Sequence, residues 1–461
     1  NCKKDFIIEP EDFEYYKKIS VPPPTFCPSC RLQRRLSFFN IFNLYKRKCD
    51  LCKKDSISNF PPDAPYIVYC PSCFWSDKWD PFAYGQEYDF SRPFFEQFNE
   101  FWHKVPLLGL SIGPESVATS PYANHAGHIK NCYLLFYAEN SEEASYGYYI
   151  YFSKSLVDCS LMYSSEYCYD SMNSFRVSKG IGHRDQVMES IDCSFLRYSQ
   201  NCQNCFASVN LRNKQYFIFN KPYTKEAYFE ELKKYDLGSH KTYKEVEKLA
   251  HEHWKKFPPH PDVSRNAVNS TGSYIFGAKN CKECYEVVGA EDCKYLLLTT
   301  VGPIKDCYDV SSWGNNMQLV YESCCVGENI SNVKFCQESG TSLQNVEYCK
   351  VIHHGVSDAF GSIAVRKCQY VIFNKRYTKE EYEALLPKIK KHIDEIPYTD
   401  KKGNVYRYGE FFPSELSPYP YNITVANDFF PLSKENAIAE GRAWRGLDTT
   451  EYQVTMKAED L

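Results

Sequence analysis

Beyond residue 122 the chain repeats a short unit in which a polar residue, mostly Asn or Asp, precedes a small or apolar anchor, with aromatic residues between. The unit recurs at Asn131-Cys132-Tyr133, Ala144-Ser145-Tyr146, Asp158-Cys159, Ser171-Met172, Asp192-Cys193, Asn204-Cys205-Phe206 and Gln215-Tyr216, and the first four anchors are 13, 14 and 13 residues apart. A second series runs through Asp292-Cys293, Asp306-Cys307, Gln318-Leu319, Asn332-Val333, Asn345-Val346 and Lys367-Cys368. Such self-similarity predicts a β-solenoid, because each coil adds one side chain to an interior stack and one residue to a corner. A reduced cysteine fits a narrow stack as a compact hydrophobe, and Asn or Asp tolerates the left-handed backbone of a corner. If 13 residues make one coil, Cys132, Ser145 and Cys159 stack on one wall at steps of roughly 4.8 Å; if they make half a coil, alternate anchors fall on opposite walls.

The array is duplicated. QYFIFNKPYTKEAY at 215–228 matches QYVIFNKRYTKEEY at 369–382 in 11 of 14 positions, offset by 154 residues. In both copies a Thr (Thr224, Thr378) is placed to cap a helix, and Glu381 completes a capping box in the second. A helix at this point is expected to cover the open end of a solenoid, which otherwise presents unpaired backbone. A further helix, Thr242 to Phe257, links the copies through FPPHPD; its His251 and His253 are two apart and do not share a face. Helical spacing also predicts a short helix through Leu32, Leu36 and Phe39, and one from about Pro93 to Lys104 with the stripe Phe94, Phe95, Phe98, Phe101 and Trp102. That stripe reads as core packing rather than a base-stacking platform.

The expected fold is therefore mainly β, an N-terminal zinc-ribbon or treble-clef-like module followed by two duplicated β-solenoids, each with a capping helix. The expected divisions are 1–110 (zinc module with aromatic helix), 111–222 (first solenoid), 223–262 (helical cap and linker), 263–376 (second solenoid), 377–397 (capping helix) and 398–461 (extended docking tail with a short helix begun at Ser433).

The zinc module rests on seven cysteines in the first 73 residues: Cys2 and the C-x-x-C pairs Cys27/Cys30, Cys49/Cys52 and Cys70/Cys73. Two thiolates separated by two residues grip one tetrahedral metal from a tight turn, so three such pairs point to zinc. Iron is the alternative, since Cys-Pro-Ser-Cys occurs twice in a rubredoxin-like form. Spacing allows Cys27/Cys30 to join Cys49/Cys52, or Cys49/Cys52 to join Cys70/Cys73. The second choice leaves Cys2, Cys27 and Cys30 as a second site lacking one ligand, expected just upstream of a chain that opens at Asn1 within a motif.

The run CKKDFIIEPEDFEYYKKISVPPPTFCPSCRLQRR, from Cys2 to Arg35, resembles zinc-ribbon domains in which a C-x-x-C precedes an F-x-x-x-x-E-x-x-x-Y segment and a second C-x-x-C runs into an Arg-rich helix. The longer stretch through LYKRKCDLC and FWSDKWDPFAYGQEYDFSRPFFEQF is similar to an uncharacterised multidomain zinc-ribbon family of candidate-phyla-radiation bacteria. The resemblance covers nearly the whole chain. It implies the upstream cysteine and hence two zinc sites, and it carries no established activity, substrate or partner.

Composition narrows the function classes. The chain has 461 residues, 43% of them hydrophobic, with 22 cysteines and a formal charge of −4. No stretch approaches the roughly 18 apolar residues of a membrane span. Unpaired cysteines around zinc suit a reducing cytoplasm. A general basic coat for nucleic acid is excluded, so any such contact must be local. From Arg31 to Lys48 there are six basic residues and no acidic one, interleaved with Phe38, Phe39, Phe42 and Tyr45. Arg31, Arg34, Arg35, Lys46, Arg47 and Lys48 are thus the candidate phosphate contacts to RNA or DNA. The alternative is a solvated helix face. No H-E-x-x-H, G-x-S-x-G or P-loop is present; Gly180-Ile-Gly-His183-Arg184-Asp185 reads as a surface loop, and no catalytic residue is assigned. The favoured class is a non-enzymatic zinc-binding adaptor whose module contacts nucleic acid, structured RNA foremost, with the solenoids as an interaction platform for protein partners. The other two are a protein-assembly scaffold with structural zinc and a β-helix enzyme acting on carbohydrate.

Overall fold

A computed structural model describes residues 2–446. The described chain forms two compact units, residues 2–109 with 264–446 and residues 110–263; the last fifteen residues of the expected tail lie outside the described range. The N-terminal cysteine module, the second solenoid, its capping helix and the described part of the tail are therefore one body rather than separate domains. The first solenoid and its two helices form the other.

Both solenoids are stacks of parallel strands. In the first, strands Lys154–Val157, Glu166–Tyr169 and Ser178–Ile181 stack on one wall, and Ser160–Tyr163 and Met172–Phe175 on the opposite wall. Register partners are twelve residues apart, as in Glu166 with Ser178, not thirteen. One coil is longer, with Ser178 opposite Ile191. In the second solenoid the spacing varies, from eleven (Arg265 with Phe276) to fourteen (Leu297 with Ser311), with thirteen through the middle coils (Tyr308 with Tyr321) and twelve at the last (Val356 with Cys368).

The local rule has period three rather than the two of an ordinary strand. From Leu134 to Lys179 every third residue has a positive φ, between 44° and 57°. The residue after each left-handed one points inward, so Leu156, Cys159, Met162, Ser165, Cys168 and Ser171 are buried while their neighbours are half-buried or exposed. Four such positions make one coil and four interior columns. Cys132 thus stacks under Ala144, not Ser145, and Cys159 belongs to the neighbouring column.

Ser and Cys suit these columns because each left-handed corner leaves carbonyls facing inward. Ser153 Oγ donates to Tyr151 O at 2.8 Å and accepts from Ser165 N, one coil on, at 3.1 Å. Cys159 Sγ donates to Val157 O at 3.3 Å and to Cys168 O at 3.6 Å. The interior cysteines act as weak donors as well as apolar filling. Asx residues on the outside form hydrogen-bonded ladders, such as Asn332 to Asn345 and Asn345 to Asp358, both at 2.9 Å.

Each solenoid ends on the Asn of its duplicated motif. Asn220 Oδ1 accepts from Val209 N at 2.9 Å and its amide donates to Val209 O at 2.7 Å; Asn374 repeats this with Ile363 at 2.8 and 2.9 Å. The side-chain amide stands where the peptide of a further coil would be. The helices that follow, Lys225–Leu232 and Lys379–Glu395, are capped by Thr224 and Thr378, the latter with the capping box. Tyr228 and Tyr382, at matching positions, are both buried. The helix His240–Trp254 lays Tyr243, Val246, Ala250 and Trp254 on Phe195, Phe206 and Val209 of the first solenoid, so it is part of that unit's core rather than a linker.

The Gly180–Asp185 segment is not a surface loop. His183 occupies the interior column of Cys159 and Ser171, fully buried, with Nδ1 accepting from Leu196 N at 3.2 Å. Gly180 makes room for it: a Cβ there would lie 2.8 Å from the imidazole Cδ2. Burial, with Arg184 adding to it, pushes the His183 pKa down to about 3. The unfolded chain therefore takes up this proton first. The stability tied to His183 is intact above about pH 6.5 and is lost as pH falls toward about 3, amounting to about 2 kcal/mol at pH 5. His183→Ser, the residue found one coil earlier, is expected to flatten the loss of denaturation free energy between pH 7 and pH 5. An unchanged slope would refute this.

Candidate metal centre

Two sets of cysteines converge, each within 4.8 Å between sulfur atoms: Cys49, Cys52, Cys70 and Cys73, and separately Cys2, Cys27 and Cys30. Of the two pairings that spacing allows, this is the one that leaves Cys2 with Cys27 and Cys30. The first knuckle, Cys49 to Cys52, sits in the turn between the antiparallel strands Tyr45–Lys48 and Asp55–Ser58. The second follows the strand Val68–Tyr69, which pairs with Leu107–Leu108, and opens the short helix Pro71–Phe74. Asp50 joins the two: its amide donates to Val68 O at 2.9 Å and its carboxylate accepts from Val68 N at 2.8 Å.

The donor chemistry fits a soft tetrahedral ion. Burial works against a thiolate at Cys49, but the amides of Cys52, Cys70 and Leu51 outweigh it and lower the pKa to about 7. Cys70 N donates to Cys49 Sγ at 3.3 Å. Burial pushes Cys70 and Cys73 up. In the second set Cys2 and Cys27 sulfurs are 3.7 Å apart, and the amide of Lys4 with the thiol of Cys30 lowers Cys2 to about 7. Both sets could hold a metal ion.

The knuckle of Cys27 and Cys30 leads directly into the helix Pro28–Leu36, with Cys27 as its N-cap. Here the expectation of a phosphate surface is overturned. Arg31, Arg34 and Arg35 are 1%, 2% and 0% exposed. Arg31 grips Asp309 through Nε and Nη2 at 3.0 and 2.7 Å, and Arg35 Nη1 reaches the other oxygen at 3.0 Å. Arg34 Nη2 donates to Glu322 and, at 2.8 Å, to Glu410 of the tail, while its guanidinium lies 4.5 Å from the Phe26 ring centre. Asp309 and Glu322 sit on a corner of the second solenoid and Glu410 on the tail, so the three arginines fasten the module to both. Arg47 is also engaged, donating to Pro61 O and Asp50. Of the six candidate contacts, Lys46 and Lys48 alone are exposed.

The rest of the module docks in the same way. Tyr15 stacks on Tyr308 with ring centres 3.7 Å apart, and Lys294 pairs with Asp12 at 2.6 Å. The aromatic helix Phe94–Lys104 packs Phe94 against Tyr348 and Phe360, and Phe98 against Phe412 of the tail. Core packing is thus the role of this stripe. Lys350, fully buried, donates to Gln337 Oε1 at 2.7 Å and lies 4.5 Å from the Trp102 ring centre. Sequence reasoning missed Asp309, Glu322 and Glu410, which lie far from their arginine partners along the chain, and Lys350, whose hydrogen-bond partners are one coil away.

No protein-family model matches the chain, and no curated protein matches it. Among the described residues no helix is long and apolar enough to cross a membrane.

Proposed function

We propose that the protein is a non-catalytic, zinc-stabilised assembly scaffold of the reducing cytoplasm, in which metal-held knuckles clamp an arginine helix onto a β-solenoid and leave solenoid surface free for protein partners. The observation that carries this reading is the burial of Arg31, Arg34 and Arg35 against Asp309, Glu322 and Glu410. Cations committed to buried carboxylates are unavailable to phosphate, and the adaptor reading loses the cluster on which it rested.

Fluorescence anisotropy with a labelled single-stranded RNA tests the choice. The expected result is weak binding whose logarithm changes little with the logarithm of salt concentration. Six free phosphate contacts would give a slope of about −4 to −5. A slope that steep, flattened by replacing Lys46, Arg47 and Lys48 with alanine, would overturn the scaffold reading in favour of nucleic-acid binding.

A further inference from the structure

Counting back coil by coil from the shared QYFIFN and QYVIFN segments pairs the positions of the two solenoids. Starting from Ile218 and Ile372, the registers step through Phe206, Ser194, Ile181, Tyr169, Val157 and Ser145 in the first. In the second they step through Phe360, Glu347, Lys334, Tyr321, Tyr308 and Lys294. Tyr169 therefore corresponds to Tyr321. The corner residues that come next in sequence correspond as Tyr146 to Tyr295, Asp158 to Asp309 and Asp170 to Glu322. Ring matches ring and acid matches acid at all four positions.

In the second solenoid three of these, Tyr295, Asp309 and Glu322, form the seat of the arginine helix, and Tyr321 lies beneath the neighbouring helix Pro10–Lys18. Arg31 lies over the Tyr295 ring at 5.5 Å and shares Asp309 with Arg35, Arg34 pairs with Glu322, and Tyr321 lies edge-on to Tyr15. In the first solenoid the Tyr146–Asp158 part of this seat is open, while Asp170 and Tyr169 already meet the unit's own Arg184 and Tyr243. Tyr146 is 53% exposed, Tyr169 41%, and Asp158 is exposed with no ion pair among the described residues. One coil on, the chain itself shows what this corner accepts: Asp170 takes Arg184 Nη2 at 2.9 Å on one oxygen and the Tyr243 hydroxyl on the other.

We propose that the Tyr146–Asp158–Tyr169 corner of the first solenoid is the docking site for an arginine-bearing amphipathic helix of a partner protein, seated as Pro28–Leu36 is on the second. One guanidinium would pair with Asp158 and lie over Tyr146, with the helix running beside the exposed part of Tyr169, whose ring already meets Tyr243. The spacing i, i+4 of Arg31 and Arg35 fixes the pattern, because it presents both to the one acid that Asp158 matches, whereas the match of Arg34's acid, Asp170, is already held by Arg184. The chain's own helix is not the occupant, since its arginines are already buried. This rests on the scaffold reading and supplies its partner class.

The test uses the full chain and a fluorescein-labelled peptide carrying the sequence of residues 28–40, with Cys30→Ser and a lactam staple between positions 29 and 33. Saturable binding is expected, weakened about tenfold or more by Asp158→Lys and less by Tyr146→Ala, and unchanged by Glu226→Lys on the capping helix. All three positions are exposed, and unchanged melting curves would verify folding. No binding, equal loss with Glu226→Lys, or equal binding of a peptide with its arginines moved out of the i, i+4 pattern would each overturn the proposal. None of those results touches the scaffold reading, which fails instead on the RNA salt slope.

Discussion

Asp309→Ala is expected to lower the unfolding free energy of the unit that contains the N-terminal cysteine module by about 3–5 kcal/mol, the usual cost of stranding a buried charge. Here two cations are stranded at once. Arg31 loses a two-pronged partner and Arg35 the one carboxylate it pairs with among the described residues, and both side chains are at most 2% exposed, so water cannot replace the acid. Urea denaturation with hydrogen exchange at the Pro28–Leu36 helix measures the effect. A triple variant with Asp309, Arg31 and Arg35 all replaced by apolar residues of similar volume should recover much of the loss, because the penalty comes from the unpaired charges rather than from missing attraction. A small effect of the single variant would mean that the guanidinium groups find other partners.

The second large effect is expected at the metal. Cys49→Ser should remove one metal equivalent per chain and destabilise the hairpin Tyr45–Ser58 by several kcal/mol, since structural zinc in small peptides contributes about 10–16 kcal/mol of binding free energy that is also folding free energy. The ligand set Cys2, Cys27 and Cys30 shares no residue with this site, so its occupancy should be unaffected. Elemental analysis of the purified chain, together with its visible spectrum to distinguish zinc from iron, checks both statements. Unchanged metal content in the variant would dismantle the four-cysteine site.

Much of the architecture is written in local sequence. The cysteine pairs, the duplicated motif, the Thr caps and the aromatic helix are each specified by residues within a few turns of one another, and each stands where its spacing places it. The coil length was obscured by degeneracy. When one residue in three points inward, anchors 12 or 15 apart are equally regular, and Cys132, Ala144, Cys159 and Ser171 mimic a period near 13. The arginine cluster misleads for a different reason. Its acids are 278, 288 and 376 residues away, so a run that looks uncompensated over eighteen residues is neutralised by the fold. Local charge counting detects a surplus but not where the chain returns to cancel it.

The paired asparagines at the solenoid ends bear on how such a protein stays single. A stack of parallel coils is a linear polymer whose growing tip offers a row of peptide donors and acceptors to any strand of matching pitch, including one from another molecule. Asn220 and Asn374 act there as end-groups: one carboxamide satisfies the backbone of Val209 or Ile363 that the next monomer would bind, and carries no backbone onward in the stacking direction. Length is thereby set by chemistry at the terminus rather than by running out of repeats. A second solenoid can follow in the same chain without the first one propagating into it.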